Sequence, residues 1–200
     1  LIFFVTYLSM LFAATSNWFY LGAGAISGCG AAVLAYRLFS HVRVRVSAWK
    51  NPWADIDNTG YQITQSLFAI GTGSWLGMGL YQGMPRKIPV VDKDFVFAAI
   101  SEEMGALFAI CVLLICLGCF LQFIMIACEM QAAFYRLVAF GLGMMYATQV
   151  FLAVGGTLKF IPSTGVTLPL ISYGGSSVVS TFVLFGVIQG LYVLKRQDVG

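Results

Sequence analysis

Residues 104–128, MGALFAICVLLICLGCFLQFIMIAC, contain no charged side chain, and Glu103 and Glu129 close the run on either side. A helix of that length rises about 37 Å, enough to cross about 30 Å of hydrocarbon. The same pattern recurs outward along the chain. No charge falls in 1–36, in 137–158 or in 160–194. The 200 residues are 60% hydrophobic and 10% charged, against about 25% charged in soluble chains, and the mean hydropathy is +0.88. Too few polar groups remain to cover a surface in water. A soluble enzyme, a nucleic-acid binder and a disordered chain are excluded, and the expected fold is an all-α polytopic membrane protein.

Five spans are expected. Residues 1–36 as one helix would reach about 54 Å, too long for a single crossing. The polar cluster Thr15-Ser16-Asn17, ahead of interfacial Trp18 and Tyr20, is the natural break, which gives a short span over about 1–14 and a second over 18–40. The third is 104–128, the fourth 135–157 and the last 175–194, ending at Lys195-Arg196. The chain opens on Leu1 inside an apolar run without a basic flank, which reads as the C-terminal piece of a longer membrane protein rather than a signal peptide. One membrane domain, 1–200, with a single long loop over 41–103 follows. Within that loop, 61–82 is semi-apolar with Ile63, Leu67 and Ile70 at helical spacing. It suits either an interfacial helix or a re-entrant element.

The net charge of +3 points to no partner. Cys29, Cys111, Cys116, Cys119 and Cys128 all lie in apolar windows and read as helix-packing residues. The Cys111, Cys116 and Cys119 spacing resembles a metal set, but His41, the lone histidine, is far off. Gly71-x-Gly73-x-x-x-Gly77 and its overlap Gly77-x-Gly79-x-x-x-Gly83 lack nucleotide-fingerprint spacing and fit close backbone packing or turns.

Chemistry is expected at two places. The first is the charged run Arg86-Lys87, Asp92-Lys93-Asp94 and, after an apolar stretch, Glu102-Glu103. On a helix starting near Asp94, Glu102 lies about 80° around from it, so the two carboxylates could divide catalytic and positioning roles. The alternative is that Asp94 caps a helix and Glu102 marks the water line. The second place is GGTLKFIPSTGVTLPLISYGGSS, 155–177, rich in glycine and hydroxyls at the head of a helix. It fits an anion site for a diphosphate or a purely structural loop.

Four segments carry a resemblance to a known family: RVRVSAWKNPWADIDNTGYQITQSLFAIGTGSWLGMGL (43–80), RKIPVVDKDFVFAAISEEMG (86–105), IPSTGVTLPLISYGGSS (161–177) and the basic tail. In order and spacing the chain resembles the SEDS family (shape, elongation, division and sporulation; FtsW, RodA and SpoVE type) over nearly its full length. The resemblance implies about ten transmembrane helices in an intact bacterial plasma-membrane protein, of which this is the C-terminal half. It implies polymerisation of lipid II, the undecaprenyl-diphosphate-linked disaccharide pentapeptide, into glycan strands beside a class B penicillin-binding protein. It also places loop 41–103 outside the cytoplasm, against the simple count of six basic residues in that loop.

By the same resemblance, the essential aspartate before Phe is Asp94, the Glu-Glu pair is Glu102-Glu103, and the conserved run maps onto Pro162, Gly165, Leu168, Pro169, Ser172, Tyr173, Gly174 and Gly175. Where many members read Pro-Glu-x-His-Thr-Asp, this chain has Pro89-Val90-Val91-Asp92-Lys93-Asp94. The implied reaction inverts the anomeric centre, with Asp94 as base on the acceptor hydroxyl. Arg86, Lys87, Lys93 and Lys159 are the candidates for the departing diphosphate, with Glu102, Ser172, Tyr173, Gly174 and Gly175 as further substrate contacts. A divalent cation, Mg²⁺ or Mn²⁺, would fit, and lipid tails would enter between helices from the membrane. The rival readings are a carrier of lipid-linked precursor, whose ionisable groups would sit within the spans, and a non-catalytic scaffold for the transpeptidase.

Overall fold

A computed structural model describes residues 1–84 and 88–198, with backbone alone for 196–198. The described residues form seven α-helices: α1 (Ile2–Thr15), α2 (Trp18–Leu38), α3 (Ser40–Lys50), α4 (Tyr61–Gly73), α5 (Val96–Glu129), α6 (Ala133–Thr157) and α7 (Gly175–Asp198), with a 3-10 turn at Pro52–Asp55. Four of them, α2, α5, α6 and the Gly175–Lys195 part of α7, are long and apolar enough to cross a membrane, and α1 is a shorter apolar helix. This is a multi-pass helical membrane protein.

The helix ends have local causes. Ser16 closes α1 in the left-handed conformation, and the Asn17 side chain accepts the Phe19 N–H at 2.9 Å to start α2, so the chain reverses where three polar residues interrupt the apolar run. Phe39, extended, separates α2 from α3. Pro52 opens the 3-10 turn, where a missing N–H costs nothing.

α6 is the centre of the bundle, packed by α1, α5 and α7 and touched by α4. At one end Phe123, Tyr146 and Phe185 meet edge to face, with centroids 5.1 to 5.8 Å apart. Leu184, Ile188 and Met130 fill in around them. At the other end Phe97 and Ala109 of α5, Ala153 and Val154 of α6 and Leu168 of the 158–174 segment form a second core. Apolar helices gain no hydrophobic free energy from one another in lipid, so close contact of small residues carries the packing. Ala139, Gly141 and Gly143 are buried at the α6 interface accordingly. The side chain of Lys195 pairs with Glu129, tying α7 to the end of α5.

The long loop is mostly structured. α4 is amphipathic, burying Ile63, Thr64, Ser66 and Ala69, and the chain after it docks into a break in α5. An unbroken α5 would run about 51 Å. Gly105, at φ 85° and ψ 170°, interrupts it and leaves backbone groups without helical partners. Segment 74–79 supplies them. Met78 N–H and Gly79 N–H donate to the Glu102 and Glu103 carbonyls at 2.9 and 3.0 Å, and Ala106 N–H and Leu107 N–H donate to Ser74 and Trp75 at 2.9 and 3.2 Å. Irregular backbone near the membrane survives only when such groups are paired inside the protein. The approach requires glycine. A Cβ on Gly105 would overlap the backbone of 75–77, and one on Gly77 would overlap the Glu103 carbonyl. Of the glycines at 71–83, Gly73 and Gly77 serve backbone contact with α5, Gly79 and Gly83 meet side chains and Gly71 faces open space; α4 and the segment after it are wedged against a broken span.

Candidate functional site

Asp94 stands just before α5, in a turn whose own N–H donates to Val90 O at 3.3 Å. The helix N-cap is Phe95, and no side chain caps it, so the capping role weighed for Asp94 is absent among the described residues. Phe95, 2% exposed, packs with Ala69, Ile88 and Val91 under α4. Phe97 packs into the α5–α6 core. These two aromatic residues, both just after Asp94, anchor the start of α5 in two separate cores. The Asp94 carbonyl also accepts the buried Thr157 hydroxyl at 3.3 Å, at the end of α6, and Tyr173 N–H donates to Asp92 O at 2.7 Å. The turn before α5, the end of α6 and the segment before α7 are held together by these bonds.

The Asp94 carboxylate lines a cavity of about 410 Å³ between α3, the 57–62 turn and the 163–165 segment. Arg45 lines the same cavity from α3, and its guanidinium donates to Ser163 O at 3.3 Å. Gly165, at φ 69°, lies bare between the two groups. The point where its Cβ would sit is 3.5 Å from Asp94 Oδ2 and 3.9 Å from Arg45 Nη1. Asp94 takes no side-chain hydrogen bond or ion pair among the described residues. Desolvation raises its pKa above the usual carboxylate value, while the charges of Arg45 and Lys93 pull it back in part. The result is a half-buried carboxylate with an unspent proton-accepting oxygen beside a cation that has donors to spare.

The opposite wall carries Asp57, Asn58, Thr59 and Gln62. Asp55 organises that turn. Its carboxylate accepts from Asn58 Nδ2 at 2.9 Å and from Thr59 N–H and Oγ1 at 3.2 and 3.0 Å, which lowers its pKa. Hydroxyl, amide and carboxylate groups on one wall form a surface that can hydrogen-bond a sugar.

The other candidates separate. Lys93 is exposed next to Asp94 and acts on it through charge. Glu102 is buried and lines a different cavity with Gln65 and Met84. Lys159 lines an apolar groove of about 560 Å³ between α5 and α6, and its carbonyl accepts Trp49 Nε1–H at 3.0 Å. Ser172 is buried, its hydroxyl accepting Leu168 N–H at 2.9 Å, so its bonding is spent inside the turn. Tyr173 is 77% exposed. Gly174 accepts Val178 N–H and Gly175 begins α7, and none of the four lines the Asp94 cavity. From the 155–177 stretch, Ser163 and Gly165 are what reach it. Arg86 and Lys87 lie outside the described residues.

Arg45, Asp57 and Gln62 were not singled out from sequence. Arg45 is exposed on α3, and what puts it at the site is its contact with the 163–165 segment, which no local pattern announces.

The family model described as a cell cycle protein, that of FtsW, RodA and SpoVE, matches residues 1–197. The chain is 36% identical over 188 residues to the peptidoglycan glycosyltransferase RodA of Mycobacterium tuberculosis, covering 94% of this chain and 40% of that protein. It is 35% identical over 192 residues to the probable peptidoglycan glycosyltransferase FtsW of Nitrosococcus halophilus (92% and 49%) and 36% identical over 199 residues to that of Neisseria gonorrhoeae (94% and 41%). The chain spans less than half the length of these relatives.

Proposed function

The chain belongs to the FtsW, RodA and SpoVE family of cell cycle proteins, and on that premise we propose that the intact protein is a peptidoglycan glycosyltransferase of the bacterial plasma membrane, polymerising lipid II on its extracytoplasmic side with Asp94 as general base. The names of its relatives support the activity. The observation that carries the residue assignment is the half-desolvated, unpaired Asp94 carboxylate facing a cavity beside Arg45 and Gly165.

In the proposed step the acceptor sugar hydroxyl loses its proton to Asp94. Its oxygen attacks the anomeric carbon from the face opposite the diphosphate, whose C–O bond breaks with the electron pair leaving on the phosphate oxygen. The configuration inverts, as in single-displacement sugar chemistry generally. A carboxylate of raised pKa is the better base near neutral pH. Arg45 takes the diphosphate charge, since a guanidinium offers several donors in fixed geometry, and Lys93 adds to the local field. The 57–62 wall holds the sugar.

A divalent cation, Mg²⁺ or Mn²⁺, belongs to this proposal as a partner of the diphosphate. Among the described residues no three His, Cys, Asp or Glu side chains gather. Asp57, on the wall across from Asp94, is the carboxylate that would hold the cation, since Mg²⁺ accepts a sparse protein set when phosphate oxygens complete its shell. A class B penicillin-binding protein is the proposed transpeptidase partner.

The test is Asp94→Asn in the intact protein, assayed with its partner on purified lipid II by glycan chain analysis. Glycan synthesis is expected to fall at least about a thousandfold, with expression and partner binding retained. Near-normal product removes Asp94 from the chemistry. Partner binding with no product from the wild type favours a scaffold.

A further inference from the structure

α4, the 78–84 segment and the first turns of α5 enclose a second cavity of about 260 Å³, separate in its lining from the one Asp94 faces. Glu102, 7% exposed, is its charged group. One of its oxygens accepts Met84 N–H at 3.1 Å. The other is buried and has no partner among the described residues. A buried carboxylate oxygen is costly to leave unpaired, and the residue that carries it lines this cavity.

The lining says what would pair with it. Phe68, Ala69 and Ile88 supply apolar walls, while the amides of Gln65 and Gln82 supply polar edges. Methylenes pack on apolar walls, and an ammonium donates to a carboxylate and amide oxygens. An anion would be repelled by Glu102, and a sugar ring would leave hydroxyls against Phe68 and Ile88. The geometry suits an alkyl stem that ends in a primary ammonium.

We infer that this cavity receives the side-chain ammonium of the peptide borne by the lipid-linked sugar, an inference that rests on the polymerase reading above. The reach agrees. From Phe95 to Glu102, α5 rises about 10 Å, and three extended residues cover about 10 Å. The third residue of a peptide attached to a sugar held at Asp94 is therefore the one whose reach matches the position of Glu102. The long loop thereby reads the peptide while the Asp94 cavity handles the sugar.

The experiment uses the intact protein with its partner and two preparations of lipid II, identical except that the third residue's side-chain amine is free in one and acetylated in the other. The free amine is expected to give kcat/KM about tenfold higher, chiefly through KM. Glu102→Gln keeps an oxygen for Met84 N–H and is expected to bring the ratio to about one. Equal use of both substrates by the wild type overturns the inference and leaves the polymerase reading standing. A ratio that persists in Glu102→Gln overturns it as well. No glycan from either substrate overturns the polymerase reading itself. The wild-type comparison stands even if the variant fails to fold.

Discussion

Asp94 differs from Asp55 in what its surroundings leave undone. Asp55 accepts three hydrogen bonds from its own turn. Asp94 accepts none among the described residues and is partly desolvated. Its pH behaviour follows with a definite sign. The base must be ionised, so kcat/KM falls as pH drops through the Asp94 pKa. Desolvation raises that pKa, which moves the acid limb up from where an ordinary aspartate would put it. Arg45 and Lys93 stabilise the anion, so Lys93→Ala moves the limb to still higher pH. A pH–rate profile of the two proteins checks this; a limb that stays put or moves down contradicts it. The motif Asp94-Phe95-Val96-Phe97 was legible in sequence as the candidate centre. Its partner was not: Arg45 is 49 positions earlier, and nothing local links the two until α3 folds against the 163–165 segment.

At the scale of elements, the α5 break and the 74–79 segment are one construction. Each supplies the hydrogen-bond partners the other lacks, and the absence of side chains at Gly77 and Gly105 lets the backbones meet. Gly105→Ala both strains φ 85° and overlaps backbone that cannot step aside. It should cost about 3 kcal/mol or more, read as a lower thermal unfolding temperature in detergent, whereas Gly118→Ala, in open space on the same helix, should leave it nearly unchanged. The α1–α2 reversal is held more simply. Asn17→Ala removes a cap and should cost about 1 kcal/mol by the same measurement. The polar triplet at 15–17 announced this turn because a cap is a local device. The glycine run at 71–83 announced only close packing, and which backbone it would meet depended on α5.

Across the whole molecule, charge is sorted to two ends of the bundle. Glu129 and Lys195 pair where α5 ends, beyond the far core, and Arg136 lies at the start of α6 on that same side. Arg45, Lys93 and Asp94 lie where α5 begins and α6 ends. In a cysteine-free version of the intact protein, Lys93→Cys and Arg136→Cys should therefore label from opposite faces of the membrane with an impermeant maleimide, position 93 from outside the cell. Labelling of both from one face contradicts the antiparallel arrangement of α5 and α6, and labelling of 93 only from the cytoplasm contradicts wall synthesis at Asp94.

Membrane residence and helical class were set by composition and local pattern: uncharged runs long enough to span hydrocarbon leave few alternatives. Tertiary structure decided which polar groups share a cavity. It brought Arg45, Asp57, Ser163 and Gly165 to Asp94, turned Glu102 into a second cavity and sent Lys159 to an apolar groove between α5 and α6. The physical reason is that a side chain's role depends on the backbone packed against its element, and that partner lies tens of residues away, beyond the reach of any periodicity or cap.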